Sequence, residues 1–224
     1  MARQYKRFHP KNSKYIRKTE TRHGQEYVKP ITKEDFAEMV RLCLIHRDAA
    51  PVGSATYWKW YRNYIILIVG VNTGNRIETI LEQTPRDYSG YRFTSTEHKT
   101  GKLQQYDLNE DVYKIVKKYI DYCGFTTNQF MFPPKLGSKD ALTRQRCWRM
   151  IKDLAKEAGI EYEVGCHSLR KSYGRWIYDD THALLLVQSM LGHNSAETTM
   201  RYICLEANEI EKIRTTIRHL PDYE

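Results

Sequence analysis

Arg76, Lys99, His167, Arg170, His193 and Tyr202 fall in four short segments: TGNRIETILEQTPRD (73–87), STEHKTGK (95–102), HSLRKSYG (167–174) and LGHNSAETTMRY (191–202). Singly, each has an ordinary explanation. Arg76 reads as a surface helix arginine and Lys99 as a turn lysine. His167 and Arg170 read as an i, i+3 pair on one helix face, and Tyr202 is one of 17 tyrosines. Together these residue types suit work on a phosphodiester. The charge on its nonbridging oxygens must be met by donors, and Arg76 and Arg170 offer planar bidentate forks that a lysine could not reproduce. His193 can donate a further hydrogen bond to the same group. A tyrosine with its ordinary pKa of about 10 needs nearby cations or a base before it attacks anything, and His167 is the candidate base. No Walker loop and no acidic metal-binding cluster accompany these segments in the sequence, so neither a metal nor another cofactor is expected.

Those side chains need elements to carry them. Thr32, with Asp35 three residues on, reads as a helix start, and Phe36, Met39, Val40 and Cys43 continue it at helical spacing to about His46. A long helix from about Thr56 is apolar nearly all round, which predicts a central, buried element. Thr73-Gly74-Asn75 ends it, and a short helix from Arg76 to about Gln83 follows. Tyr91 to Thr96 and Leu103 to Leu108 read as strands flanking a turn at residues 98–102. Asn109 caps a helix to about Cys123, and Phe130 to Pro134 reads as a short extended stretch. Thr143 starts a helix that runs to about Ala158 and is closed by Gly159. From Ser168 the pattern is helical, with breaks near residues 179–181 and 192–195. The fold class is therefore mainly α with a small antiparallel β-sheet (α+β).

Composition excludes several classes. The 224 residues are 41% apolar, enough for a sizeable core and against global disorder. The longest apolar run, Tyr64 to Val71, is far short of the ~20 residues of a membrane-spanning helix. Five scattered cysteines without a CxxC pair read as free thiols in a reducing compartment. The basic N-terminus lacks the apolar stretch of a secretory signal. The net charge of +9 is uneven: residues 1–30 hold nine basic side chains and two acids. Such an arm suits a polyanion, because each phosphate contact releases counterions. At the other end Ile210, Ile213, Ile217 and Leu220 form one apolar stripe, suited to packing on the chain's own core or docking on a neighbouring subunit.

In combination the four segments resemble the catalytic domain of the tyrosine recombinases, the phage-integrase family, over roughly residues 31–205. The family's first arginine follows a T-G-x-R pattern, as Arg76 does, with an aspartate eleven residues later, here Asp87. Its lysine sits in a β-turn, as Lys99 is placed. Its H-x-x-R box matches His167 to Arg170. Its L-G-H box, with a tyrosine nine residues beyond the histidine, matches Leu191-Gly192-His193 and Tyr202. One position departs: the acid usual three residues after the first arginine is Thr79 here, and an acid stands one place earlier, Glu78.

The resemblance implies a site-specific DNA recombinase that cuts and rejoins strands through a covalent 3′-phosphotyrosyl link at Tyr202. Arg76, Arg170 and His193 would hold the phosphate, His167 would accept a proton and Lys99 would protonate the departing 5′-oxygen. It implies double-stranded DNA as partner, a tetramer on two duplexes, no membrane, and a cytoplasmic, nucleoid-associated location. Members of the family usually carry a core-binding domain ahead of the catalytic one. Here residues 1–30 are expected to replace part of it, with Arg3, Lys6, Arg7, Lys11, Lys14, Arg17 and Lys18 on DNA phosphates, and residues 206–224 to tether subunits. A type IB topoisomerase shares the chemistry, and a regulator keeping the fold without catalysis is a third reading.

Overall fold

The computed structural model describes residues 28–96, 101 and 103–204. Residues 1–27 of the N-terminal basic arm, Lys99 and the C-terminal stripe lie outside the described residues. Eight helices and three strands follow in the order α1 (Lys33–Asp48), α2 (Ala55–Thr73), α3 (Ile77–Leu81), β1 (Tyr88–Ser89), β2 (Arg92–Thr96), β3 (Leu103–Asp107), α4 (Glu110–Cys123), α5 (Arg144–Glu157), α6 (Cys166–Thr181), α7 (Leu184–Leu191) and α8 (Ala196–Tyr202). The strands form one antiparallel sheet, β1-β2-β3, with Phe93 paired to Tyr88 on one side and Tyr106 on the other.

α2 is the axle of the domain, packed by α1, α4 and α6. Its Ile65, Ile66, Leu67 and Val69 are fully buried, which is why its sequence is apolar on almost every side; each contributes roughly 1.5–3 kcal/mol by leaving water. The helix starts where Ser54 Oγ accepts a hydrogen bond from the Tyr57 N–H and ends at Gly74 in the left-handed conformation. Thr32, Asn109 and Thr143 cap α1, α4 and α5 through their side-chain oxygens, as their positions before the periodic segments predict.

Three local features differ from the sequence expectations. Arg76 is the residue before α3 rather than within it. α6 begins at Cys166, earlier than Ser168, because Ser168 Oγ accepts a hydrogen bond from the Gly165 N–H and fixes the first turn. Phe130 to Pro134 joins no strand; Met131 N–H donates to the Gln83 carbonyl and Leu142 N–H to that of Phe132.

The chain enters the domain through residues 28–31, which lie along α6. Lys29 N–H donates to the Glu163 carbonyl at 2.9 Å, Ile31 N–H to Ser172 Oγ at 2.7 Å, and Trp176 Nε1–H to the Ile31 carbonyl at 3.1 Å. Two apolar clusters result. The larger is built round α2. The smaller consists of buried Val187, Leu191 and Ile203, with Tyr173, Ile177, Tyr178, Leu184 and Tyr202 against it. Gly174 lets α6 approach this second cluster closely: a Cβ there would stand 2.9 Å from Leu191 Cδ1 and 3.1 Å from Ile203 Cγ2.

Candidate active site

The turn between α2 and α3 is locked before any ligand arrives. Thr73 Oγ1 donates to the Val69 carbonyl, and Tyr106 OH from β3 donates to the Thr73 carbonyl at 3.1 Å. Gly74 holds φ 62°, and a Cβ there would lie 2.3 Å from the Tyr173 ring. Only glycine fits, on both conformational and steric grounds. The next two residues are Asn75, buried, and Arg76, half-buried.

Arg170 is 2% exposed. Its guanidinium donates to the Gly74 carbonyl and to the Leu191 carbonyl, both at 2.6 Å. One side chain on α6 thus ties the α2–α3 turn to the end of α7. Tyr202 lies within reach of its charge. Burial pulls the Arg170 pKa down, and Tyr202 opposes that shift. Arg76 is lowered by burial and then by the like charge of Arg170. Two cations held this close are poised for an anion between them.

Tyr202 ends α8, half-buried. Burial raises its pKa, while Arg170 and Arg76 pull it down. Its ring meets that of His193 edge-on, centroids 4.9 Å apart at 75°. His193 Nδ1 lies 3.1 Å from Thr199 Oγ1, whose hydroxyl donates to the Ser195 carbonyl. That hydroxyl has one proton, so Nδ1–H is the donor to it and Nε2 is left for a ligand. Burial, then Arg170 and Arg76, push the His193 pKa down to about 4.

His167 lies in the first turn of α6, on the same face as Arg170. Its pKa is lowered by burial and then by Arg144, with Glu78 opposing. Glu78 pairs with Arg144 at 3.1 Å, whereas Thr79 is buried at 6% exposure. The acid one place earlier than the family pattern therefore reaches a cation beside His167, and the residue at the usual position faces the core. Asp87 stands apart from the cluster, accepting from the Thr84 N–H and hydroxyl.

The structure thus brings together Arg76, Arg170, His193 and Tyr202, with His167 beside Arg170. Lys99 and the arm residues lie outside the described residues; β2 ends at Thr96 and β3 begins at Leu103, on either side of the lysine in sequence. Sequence reasoning missed Arg144, Lys171 and Thr199. Thr199 sits in the same box as His193, six residues from it, and Lys171 directly follows Arg170 in the H-x-x-R segment; Arg144 carries no motif signal. Among the described residues no three His, Cys, Asp or Glu side chains group as a metal site. No helix there is long and apolar enough to cross a membrane.

The Phage integrase family pattern matches residues 55–209, most of the chain and all of this cluster. The chain belongs to that family, and its class is that of the tyrosine-type site-specific recombinases, enzymes that act on DNA. Among relatives, it is 29% identical over 150 residues to the "Probable integrase/recombinase YoeC" of Bacillus subtilis (strain 168), covering 65% of this chain and 78% of the relative. It is 28% identical over 161 residues to the "Tyrosine recombinase XerD" of Staphylococcus epidermidis (strain RP62A), covering 69% of this chain but only 54% of that protein. The chain therefore spans about half the length of its XerD relatives. A solved structure of similar fold is the XerH site-specific recombinase bound to palindromic difH substrate in a post-cleavage complex. It gives TM-score 0.64 and 21% identity, covering 84% of this chain and 53% of that one.

Proposed function

We propose that the chain cleaves and rejoins DNA strands through Tyr202, with Arg76 and Arg170 clamping the scissile phosphate. The observation that carries this is Arg170, buried and braced by two carbonyls beside Tyr202. A brace of that kind fixes the fork before the substrate arrives, so little reorganisation is needed when charge develops on phosphorus.

In the step, the Tyr202 oxygen attacks phosphorus and the bond from phosphorus to the 5′-oxygen breaks. A 3′-phosphotyrosyl link and a free 5′-hydroxyl result. His167, held neutral at physiological pH by its lowered pKa, takes up the phenol proton. Lys99 supplies the proton to the 5′-oxygen. His193 is neutral at rest and donates to the phosphate from Nε2 once the anion's charge favours its protonated form. The bond energy is conserved in the ester, so religation by a 5′-hydroxyl of another strand needs no nucleotide cofactor. Exchange between two duplexes calls for a tetramer, with residues 206–224 as tether and the basic arm, Arg3 to Lys18, tracking phosphates.

The test uses duplexes selected from a randomised pool by binding to the protein. A selected duplex, nicked near its centre so that cleavage releases a short strand, is incubated with chelator present and run on a denaturing gel. A covalent protein–DNA band absent from Tyr202→Phe is the expected result. Strand exchange between two such duplexes separates recombination from simple nicking and closing. A protein that binds its duplex yet yields no band would be a DNA-binding regulator instead.

A further inference from the structure

We propose that Lys171 is a positioning residue for Tyr202: its buried ammonium, anchored on the Val28 carbonyl, stands over the phenol ring and favours the attacking phenolate. Lys171 is 6% exposed, a rare setting for a lysine. Its Nζ donates to the Val28 carbonyl at 2.8 Å, lies 3.7 Å from Cys204 Sγ and stands 5.5 Å from the centroid of the Tyr202 ring.

Arg170 and Lys171 are neighbours on α6 and divide one target between them. Arg170, braced on two carbonyls, acts on Tyr202 through its charge, whereas Lys171 addresses the face of the ring. Loss of the phenol proton spreads negative charge into that ring, so a cation over its face gains more from the phenolate than from the phenol. The charged and titratable groups facing Tyr202 are Arg76 ahead of α3, Arg170 and Lys171 of α6, His193 after α7 and Cys204 just beyond α8. Lys171 differs from the arginines in where it is tied. Its anchor, Val28, belongs to the entering segment that hydrogen bonds pin along α6, so that segment helps hold the nucleophile's surroundings.

This rests on Tyr202 being the nucleophile. The experiment compares wild type, Lys171→Arg, Lys171→Gln and Lys171→Met on the nicked selected duplex, measuring the single-turnover rate of covalent-complex formation across the neutral pH range beside DNA affinity. The two neutral variants are expected to be about 2- to 30-fold slower at every pH, the range of one cation–π contact. DNA affinity should not change, because the ammonium is buried and directed at the protein. Lys171→Arg should recover most of the rate. Folded neutral variants that cleave at the wild-type rate, or a loss that arginine does not restore, would overturn the proposal. Failure of both neutral variants to fold would also overturn it, leaving Lys171 a structural residue alone. If wild type itself forms no covalent complex, the reading beneath fails instead, and the proposal goes with it.

Discussion

Arg170 donates to the carbonyl of Gly74 across 96 positions of sequence, and that bond sets where the first arginine of the site can stand, two residues after the glycine. The bond needs the turn to keep its left-handed geometry. Gly74→Ala would place a methyl 2.3 Å from the Tyr173 ring in a conformation that L-residues disfavour. Strain of ~1–2 kcal/mol adds to overpacking of ~1–3 kcal/mol. Urea unfolding should show a loss of about 2–5 kcal/mol together with slower cleavage; an unchanged midpoint would refute this account of the turn.

Arg170→Lys keeps the charge and loses the fork. One ammonium cannot hold the Gly74 and Leu191 carbonyls together as the guanidinium does. Single-turnover cleavage should fall by about 10²–10³-fold, the usual effect of removing one preorganised donor. Retention of cleavage within a few-fold would mean that charge alone is what the site uses.

The two site histidines give acid sensitivity. An imidazole in the unfolded chain titrates near 6.5, while His193 in the fold sits at about 4 because burial, then Arg170 and Arg76, disfavour its cation. Between those values the unfolded chain binds a proton that the fold excludes. Stability from this source is full above 6.5 and is lost progressively as pH falls toward 4. His167 shifts in the same direction. The urea midpoint of His193→Gln should therefore drop less between pH 7 and pH 5 than that of wild type. Parallel drops would show that His193 is not linked to folding.

Gly174→Ala tests the seat of the nucleophile. Its Cβ must displace Leu191 or Ile203 by a few tenths of an ångström, at a cost of ~1–3 kcal/mol. Because Tyr202 and the Leu191 carbonyl both depend on that cluster, cleavage should slow while DNA affinity holds. A variant as stable and as fast as wild type would contradict the packing described.

Much of this was legible in the residues. Caps at Thr32, Asn109 and Thr143 act through their own side chains on nearby N–H groups, so local sequence suffices to place them. The apolar α2 announced its burial, and the spacing of His167, Arg170, His193 and Tyr202 marked most of the site. What stayed hidden depends on contacts distant in sequence. β1 is two residues long, too short for an alternation to register. That Arg170 braces two carbonyls, or that Lys171 reaches back to Val28, is written only in the packing of α6. The departure at Thr79 resolved the same way, with Glu78 finding Arg144 on a helix whose neighbour no motif names.

The two apolar clusters meet at the site with unequal depth. Arg170 is braced on both sides, by the Gly74 carbonyl at the end of α2 and by the Leu191 carbonyl, while the tyrosine packs against the smaller cluster, whose buried members are Val187, Leu191 and Ile203. At roughly 1.5–3 kcal/mol for each side chain, detaching that small unit costs less than undoing the large core. The domain therefore has a safety catch graded by local stability: the Gly74 brace of its phosphate clamp can stay in place while the cutting residue, together with the Leu191 brace, is momentarily out of register. Amide exchange in α7 and α8 should run ahead of that in α2.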